Sequence, residues 1–497
     1  MSDAPLIVGV SGLRGIVGES LTPEVAVRYA GVFGSWLNER LGTGGRVLIC
    51  RDGRDGGGVF LDATAAGLRG VGCEVLDCGV LMTPAAGVTA VMRNCDAAMI
   101  VTASHNPQEW NGLKCLLVED GEASAPGADT ASEIIARFEK NEVSWTTDAS
   151  GLGFRDSDDP DIAVVHAGDV LDAVGEFFGW NEDGEMPRLA VLDSVNCSGA
   201  RGAAKLLQMM GVGFVQLHGE DNGIFPHTPE PTAENLSGEG GLCDAVSGLK
   251  ADVGFAQDPD ADRLAIIDEK GAYIGEEYTL ALCAEAALSA GRSGDRDEDG
   301  DEEAGEPVLV ANLSTSRMID DVAAKHGGRV VRTPVGEANV VEAMKTLKGE
   351  GENVVLGGEG NGGVIWPEVV YVRDSLGSMA LVLSLMARTG KTVSELVAQI
   401  DSYSPGGSGY AIVKQKVNIA SKADAQPAVE KIAKHYGGRA DATIDLQDGA
   451  RVDFPEQGVW VHVRASNTEP IMRLIAEAPT DEMARAILTE VEGVIAG

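Results

Sequence analysis

One pattern recurs three times along the chain and restricts its fold more than any other feature. A short apolar strand leads through a polar or glycine-rich loop into a helix, and the helix leads into a second strand. Val47-Leu48-Ile49-Cys50 starts the first unit, which continues through a helical stretch at Ala65-Ala66-Gly67-Leu68 to Glu74-Val75-Leu76. Leu189-Ala190-Val191-Leu192 starts the second, with a loop at 194–199, a helix at 203–210 and a strand at 212–217. Val308-Leu309-Val310-Ala311 starts the third, with a loop at 312–316, a helix at 318–326 and a strand at Arg329-Val330-Val331. Continuous apolar strands alternating with helices indicate parallel sheets covered on both faces.

The last part of the chain has a different rhythm. Residues 410–419 alternate like a half-buried strand, 427–435 read as helix, and 442–446, 459–463 and 471–476 read as further strands. Residues 481–495 form an amphipathic helix that Thr480 or Asp481 could cap. The expectation is an α/β protein: three similar mixed-sheet α/β domains and a C-terminal α+β domain. At roughly 100–200 residues per domain, 497 residues accommodate them. The expected bounds are 1–165, 166–272, 273–402 and 403–497. The run Tyr403-Ser404-Pro405-Gly406-Gly407-Ser408-Gly409 marks a hinge before the last domain.

Charge narrows the partners. Asp and Glu number 77 against 39 Lys and Arg, a net charge of −38. Duplex nucleic acid and anionic membranes are bound through excess positive charge, so neither is expected. A small anion in a local cationic pocket remains compatible. No apolar run reaches the roughly 18 residues of a membrane span. Met1-Ser2-Asp3-Ala4-Pro5 lacks the basic and apolar regions of a secretory signal, and the eight cysteines form no Cys-x-x-Cys pair. A reducing, cytoplasmic setting is expected, with the protein a monomer or homodimer. Residues 294–306, with eight acids and one Arg, cannot join a core and are expected to form a solvated loop.

Four loops carry chemistry. Thr102-Ala103-Ser104-His105-Asn106-Pro107 follows the apolar run 97–101, so Ser104 sits at the carboxyl end of a buried strand, with Lys114 ten residues on. It fits an activated hydroxyl or a plain turn equally. Asp258-Pro259-Asp260-Ala261-Asp262-Arg263 lies between two apolar segments. Three carboxylates on one side of a short loop repel unless a cation neutralises them, and oxygen-only ligands suit a hard cation such as Mg²⁺. That reading is favoured over a polar hairpin tip. Gly357-Gly358-Glu359-Gly360-Asn361-Gly362-Gly363 offers an acceptor and a donor–acceptor suited to sugar hydroxyls, though glycine-rich turns are common. Arg464-Ala465-Ser466-Asn467-Thr468-Glu469-Pro470, with Arg473 beyond, reads as an anion cradle or an ordinary turn.

The four loops in this order, one per domain-sized block, resemble the α-D-phosphohexomutase superfamily, which includes phosphoglucomutase, phosphomannomutase and phosphoglucosamine mutase. Val10-Ser11-Gly12-Leu13-Arg14-Gly15 resembles that family's amino-terminal arginine loop. The stretches 6–18, 110–114, 221–225 and 357–363 look most like the phosphoglucosamine mutase branch. The resemblance implies four domains around a central cleft. It implies a phosphorylated Ser104 that exchanges its phosphoryl group with a hexose phosphate through a hexose 1,6-bisphosphate. It implies one Mg²⁺ held by Ser104, Asp258, Asp260 and Asp262, and a phosphoryl group braced by Arg14 and Arg263. His105 and Lys114 are the two candidates for proton handling. Glu359 and Asn361 would hold sugar hydroxyls, and Arg464, Ser466, Asn467, Thr468 and Arg473 the non-reacting phosphate.

Gly363 stands where many members of that family carry a histidine after the sugar-loop glutamate, so any role of that imidazole is absent or moved. The expected activity is reversible transfer between the 6- and 1-positions of a hexose phosphate, glucosamine phosphate first, with glucose or mannose phosphate as the alternative. A non-catalytic sugar-phosphate sensor is the alternative of a different class. Asp52 and Arg54 fit either an approach to the cleft or a local ion pair. His166, His218, His326 and His435 read as scattered surface or helix residues, and His462 as structural.

Overall fold

Four sheets organise the chain in a computed structural model that describes residues 5–158, 161–178, 184–220, 222–290, 305–419, 425–465 and 471–496. The first has eight strands: β1 (Ile7–Gly9), β2 (Gly12–Ile16), β3 (Arg46–Arg51), β4 (Glu74–Val80), β5 (Ala97–Val101), β6 (Trp110–Glu119), β7 (Glu122–Ser124) and β8 (Arg155–Ser157). Their order is β1-β2-β6-β5-β3-β4-β8, with β7 on the end of β6. The second holds β9 (Leu189–Asp193), β10 (Gly213–Leu217), β11 (Val253–Gln257) and β12 (Leu264–Ile267), in the order β10-β9-β11-β12. The third holds β13 (Pro307–Asn312), β14 (Arg329–Thr333), β15 (Asn353–Glu359) and β16 (Gly363–Ile365), in the order β14-β13-β15-β16.

The three-fold repeat is therefore real and more specific than expected. Each sheet contains the same four-strand motif, whose first three strands are parallel and whose fourth is antiparallel. The expected mixed sheets are therefore observed, the antiparallel fourth strand being what makes each of them mixed. A chain that turns back through a short loop can only pair antiparallel, whereas a parallel return needs a crossover of a dozen or more residues.

The fourth sheet is antiparallel throughout, as the alternation at 410–419 indicated. It holds β17 (Ala411–Asn418), β18 (Thr443–Asp445), β19 (Ala450–Phe454), β20 (Val459–Ala465) and β21 (Ile471–Ala478), in the order β17-β21-β20-β19-β18. Strand β19 had no counterpart in the sequence reading. Thr480 caps the last helix, accepting from Met483 N at 3.3 Å. Helix Pro23–Leu41 shows the same local logic: Thr22 caps it, Pro23 sits where no N–H is needed, and Gly42 ends it at φ 70°. Helix Ile162–Phe178 runs through the junction expected at 165/166 and packs on helices Gly199–Met209 and Ser375–Thr389. Most of the acidic stretch 294–306 lies outside the described residues. Among those described, no helix is long and apolar enough to cross a membrane.

Apolar packing divides the molecule unevenly. One core runs through the first three units without a break, joining Met82, Leu192, Leu206, Leu282, Leu356 and Leu381. The fourth unit closes a core of its own around Ile432, Tyr436, Val461, Leu474 and Leu488. Its attachment to the third unit is largely polar. His462 Nδ1 meets Ser314 Oγ at 2.9 Å, Arg451 donates to Leu313 O, Arg317 N donates to Glu477 at 2.9 Å, and Val335 N donates to Asp448 at 3.1 Å.

Candidate active site

Topology sets the site. The loops at 102–109, 258–263 and 360–362 occupy the same place in the three repeats, each joining the third parallel strand to the antiparallel fourth. The carboxyl ends of the parallel strands therefore deliver Ser104, the three aspartates and Glu359 to a common region, as ligand sites in open α/β sheets generally lie.

Ser104 adopts a left-handed backbone at φ 50° and is fully buried. Such a conformation is costly for a non-glycine residue and persists only where its surroundings enforce it. Here they do. Ser104 N donates to Thr102 Oγ1 at 2.8 Å, and Thr102 in turn donates to Asp52 at 2.7 Å. Arg54, itself fully buried and paired with Asp52 at 3.0 Å, donates to the carbonyls of Ser104, Asn106, Pro107 and Trp110. The pair Asp52–Arg54 is thus both alternatives at once, a strand-end ion pair and the frame of the serine loop. Ser104 Oγ lies 3.0 Å from Asp258 Oδ2 and 3.3 Å from His105 Nδ1.

In the aspartate loop, Ala261 takes φ 53° and turns Asp258, Asp260 and Asp262 together, with ligand oxygens all within 4.8 Å of one another. All three are fully buried. Asp260 Oδ2 accepts from Thr83 at 2.8 Å, and Asp262 Oδ2 accepts from Lys114 at 2.7 Å and Arg373 at 2.6 Å. The other oxygens, Asp260 Oδ1 and Asp262 Oδ1, have no hydrogen-bond partner among the described residues. Burial, then Asp262 and Asp260, push the Asp258 carboxyl well above its usual range. Buried, orphaned carboxylate oxygens in an oxygen-only set fit a hard divalent cation.

Cations ring this trio. Burial works against the charge of Lys114, but Asp262, Glu337 and Asp260 outweigh it and hold the ammonium charged. Arg263, then burial, then Arg14 hold His105 well below its ordinary pKa, so its imidazole is neutral. Arg14, on β2 opposite Gly112 of β6, donates to Asn106 Oδ1 at 3.1 Å.

The glycine-rich loop adds Glu359, which accepts from Asn312 at 2.8 Å, from Arg373 at 2.8 Å and from Asn361 at 3.3 Å. Arg373 ties this loop to the aspartate loop, since one guanidinium binds Glu359 and Asp262. A backbone bond from Leu264 N to Gly362 O, 2.9 Å, joins the same two loops. From the fourth unit, Arg464 and Arg473 are cross-strand partners on β20 and β21. Like charges opposed on a sheet are unfavourable unless an anion lies between them. Arg464 is buried, lies 3.7 Å from Asp448, and is close enough to Glu359 to interact with its charge. Ser466, Asn467 and Thr468 lie outside the described residues.

Sequence reasoning missed Arg373, Glu337, Thr83 and Asn312. Arg373 opens the run Arg373-Asp374-Ser375, two adjacent charged residues before an apolar helix, which was its one local signal. The others have none, being single polar residues drawn in by packing. His166 is buried 3.0 Å from Asp374, and His218 pairs with Asp193, so neither is a scattered surface residue.

Family models for phosphoglucomutase/phosphomannomutase match nearly the whole chain. The models for α/β/α domains I, II and III match residues 5–144, 171–271 and 276–403, and the C-terminal domain model matches 413–494. A "Phosphoglucomutase/phosphomannomutase" from Thermococcus kodakarensis is 34% identical over 97% of this chain and 96% of its own. A "Probable phosphoglucosamine mutase" from Methanopyrus kandleri is 34% identical over 98% of this chain and 97% of its own. Among solved structures, a phosphoglucomutase/phosphomannomutase family protein from Burkholderia thailandensis superposes with a TM-score of 0.74 at 23% identity, covering 98% of this chain and 96% of the other.

Proposed function

Because the chain belongs to the phosphoglucomutase/phosphomannomutase family, we propose that it is a phosphohexomutase working through Ser104, with glucosamine phosphate as its first substrate. The observation that carries the reading is the convergence of Ser104, the buried aspartate trio and Glu359 at equivalent positions of three repeated sheets.

Asp258, Asp260 and Asp262, with an oxygen of the phosphorylated Ser104, would hold Mg²⁺, whose charge offsets that of the phosphoryl oxygens in transfer. Arg14 and Arg263 brace the phosphoryl group. The bond from Ser104 Oγ to phosphorus breaks as a bond from phosphorus to the free sugar hydroxyl forms, and a hexose 1,6-bisphosphate results. The sugar hydroxyl sheds a proton as that bond forms and Ser104 Oγ takes one up as it leaves; neutral His105, whose Nδ1 lies 3.3 Å from Ser104 Oγ, is placed to deliver it to the serine. Lys114, held charged by its carboxylates, contributes as a fixed positive charge rather than as a base. After the bisphosphate turns round, its other phosphoryl group returns to Ser104. Glu359 and Asn361 hold sugar hydroxyls. Arg464 and Arg473, with Ser466, Asn467 and Thr468, grip the phosphate that is not reacting and accept either orientation.

The sugar is the finer question. Relatives of equal identity carry glucose/mannose and glucosamine names. A side-by-side assay on glucosamine, glucose and mannose phosphates, with Mg²⁺ and a trace of bisphosphate primer, is expected to show fastest turnover with glucosamine phosphate. Inactivity on all three would reject the mutase reading. Ser104→Ala is expected to abolish turnover while sugar-phosphate binding by calorimetry persists; undiminished turnover would remove the covalent route.

A further inference from the structure

The second domain gathers a cluster that the mutase chemistry does not use. Asp193 ends β9, His218 follows β10, and His227 lies on the segment beyond it. Asp193 Oδ2 is 3.0 Å from His218 Nδ1 and 3.0 Å from His227 Nε2, and the three ligand atoms lie within 4.8 Å of one another. Asp193 is almost fully buried, while the two imidazoles are partly exposed.

The hydrogen bonds around the cluster orient it toward a cation. His227 Nδ1 is 2.8 Å from Thr228 O, a contact only an N–H can make. In the neutral imidazole that leaves a lone pair at Nε2, aimed at a carboxylate oxygen. A lone pair facing a carboxylate is repulsive unless a second proton or a metal ion lies between. Fixing one ring nitrogen on a backbone carbonyl is the usual way a protein presents the other to a metal. The remaining oxygen, Asp193 Oδ1, accepts from Val195 N at 3.0 Å, which fixes the carboxylate as well. The backbone is also held out of its ordinary range around the cluster. Val195 (φ 43°), Asn196 (φ 57°) and His218 (φ 48°) are all left-handed, and Asn196 N donates to His218 O at 2.6 Å. For a β-branched valine this is a marked departure.

We propose that Asp193, His218 and His227 form a second cation site that takes a zinc-class divalent ion and is separate from the aspartate trio. Two imidazole nitrogens and one carboxylate oxygen select such an ion over Mg²⁺, which favours oxygen. At bond lengths of about 2.0–2.1 Å, neighbouring ligands of a tetrahedral ion stand roughly 3.3 Å apart, so the cluster need open only slightly. Solvent on the imidazole side leaves room for water as a fourth ligand.

The site would brace the serine loop from behind. Residues 223–225 dock there: Gly223 O accepts from Asp55 N at 3.2 Å and from Gln108 at 3.0 Å, and Phe225 N donates to Gln108 at 2.8 Å. The Phe225 ring lies 5.0 Å from the guanidinium of Arg54, which holds the carbonyl of Ser104.

The test uses the full chain, stripped of metal and saturated with Mg²⁺, titrated with Co²⁺ as a spectroscopic stand-in for zinc. One equivalent is expected to bind, with the visible absorption of a four-coordinate nitrogen–oxygen site. It should persist in Asp260→Asn, which disables the trio. It should vanish in His218→Ala/His227→Ala and weaken at least about tenfold in the milder His227→Gln. Hydrogen exchange at 223–225 should slow on Zn²⁺ addition in the wild type and not in the double variant. Co²⁺ binding equal in wild type and double variant, or no Co²⁺ retained against Mg²⁺, would overturn the proposal and leave the cluster as a carboxylate bridging protonated imidazole.

Discussion

Arg373 joins two loops that lie almost a hundred residues apart in the chain. Its guanidinium reaches Asp262 at 2.6 Å, Glu359 at 2.8 Å and Glu337 at 3.4 Å, and it is almost wholly buried. A planar fork can serve several carboxylates at once, whereas an ammonium is a point charge. Arg373→Lys is therefore expected to strand at least one buried carboxylate. Breaking a buried pair costs about 3–5 kcal/mol, and retention of charge places this variant toward the lower end. Denaturant unfolding measures the loss, and a rise in KM larger than the fall in kcat is expected if Glu359 is the group displaced. Unchanged stability would show that the three carboxylates do not depend on this cation. Single residues of this kind carried little local signal, in contrast to Ser104 and Asp258, which sit in runs whose chemistry is evident from neighbours alone.

Among elements, the hairpin from β15 to β16 tolerates little change at its tip. Gly362 has φ 81°, and a Cβ there would stand 2.5 Å from Leu264 O. Gly362→Ala is expected to cost about 1–3 kcal/mol from backbone strain and to push the sugar loop off the aspartate loop. Thermal unfolding and KM report the two effects; a variant as stable as wild type with an unchanged KM would contradict this packing. Strand β20 carries a pH-sensitive contact in His462, fully buried between Ser314 Oγ at 2.9 Å and Asp448 O at 2.6 Å. Burial holds its pKa down, to about 4. Between the unfolded value near 6.5 and about 4, the unfolded chain takes up a proton that the folded chain refuses. Stability should therefore fall as pH drops through that window. His462→Gln should flatten this part of the pH–stability curve, and an unaltered slope would assign the dependence elsewhere. Strands and helices with a clean period were legible in advance. Mixed sheets were anticipated as a class, but which strand in each would run antiparallel was not, because pairing direction is set by loop length and by neighbouring strands rather than by the strand's own residues; β19 was not read at all.

For the whole molecule, the contrast is between a continuous apolar core under three units and a polar seam to the fourth. Lys414 of β17 reaches across that seam to Glu277 at 3.1 Å and to Gly360 O, in the sugar loop, at 3.3 Å. Polar seams between domains open more readily than shared cores, and on the proposed mechanism substrate would reach buried Ser104 through such an opening. Lys414→Met is expected to loosen closure and admit water, raising inorganic phosphate release relative to mutase turnover, measured in one reaction; an unchanged ratio would mean that this lysine does not guard the cleft. The amino-acid sequence by itself determined the three-fold α/β repeat, the antiparallel last unit and the loops bearing Ser104, Asp258 and Glu359, because each depends on periodicity or chemistry within a few neighbouring residues. Only the tertiary structure decided that these loops meet, that Arg373 and the Asp52–Arg54 pair hold them, and that two histidines share Asp193. Those relations arise from burying charged groups against distant strands, and no local stretch of chain encodes which partner a buried charge will find.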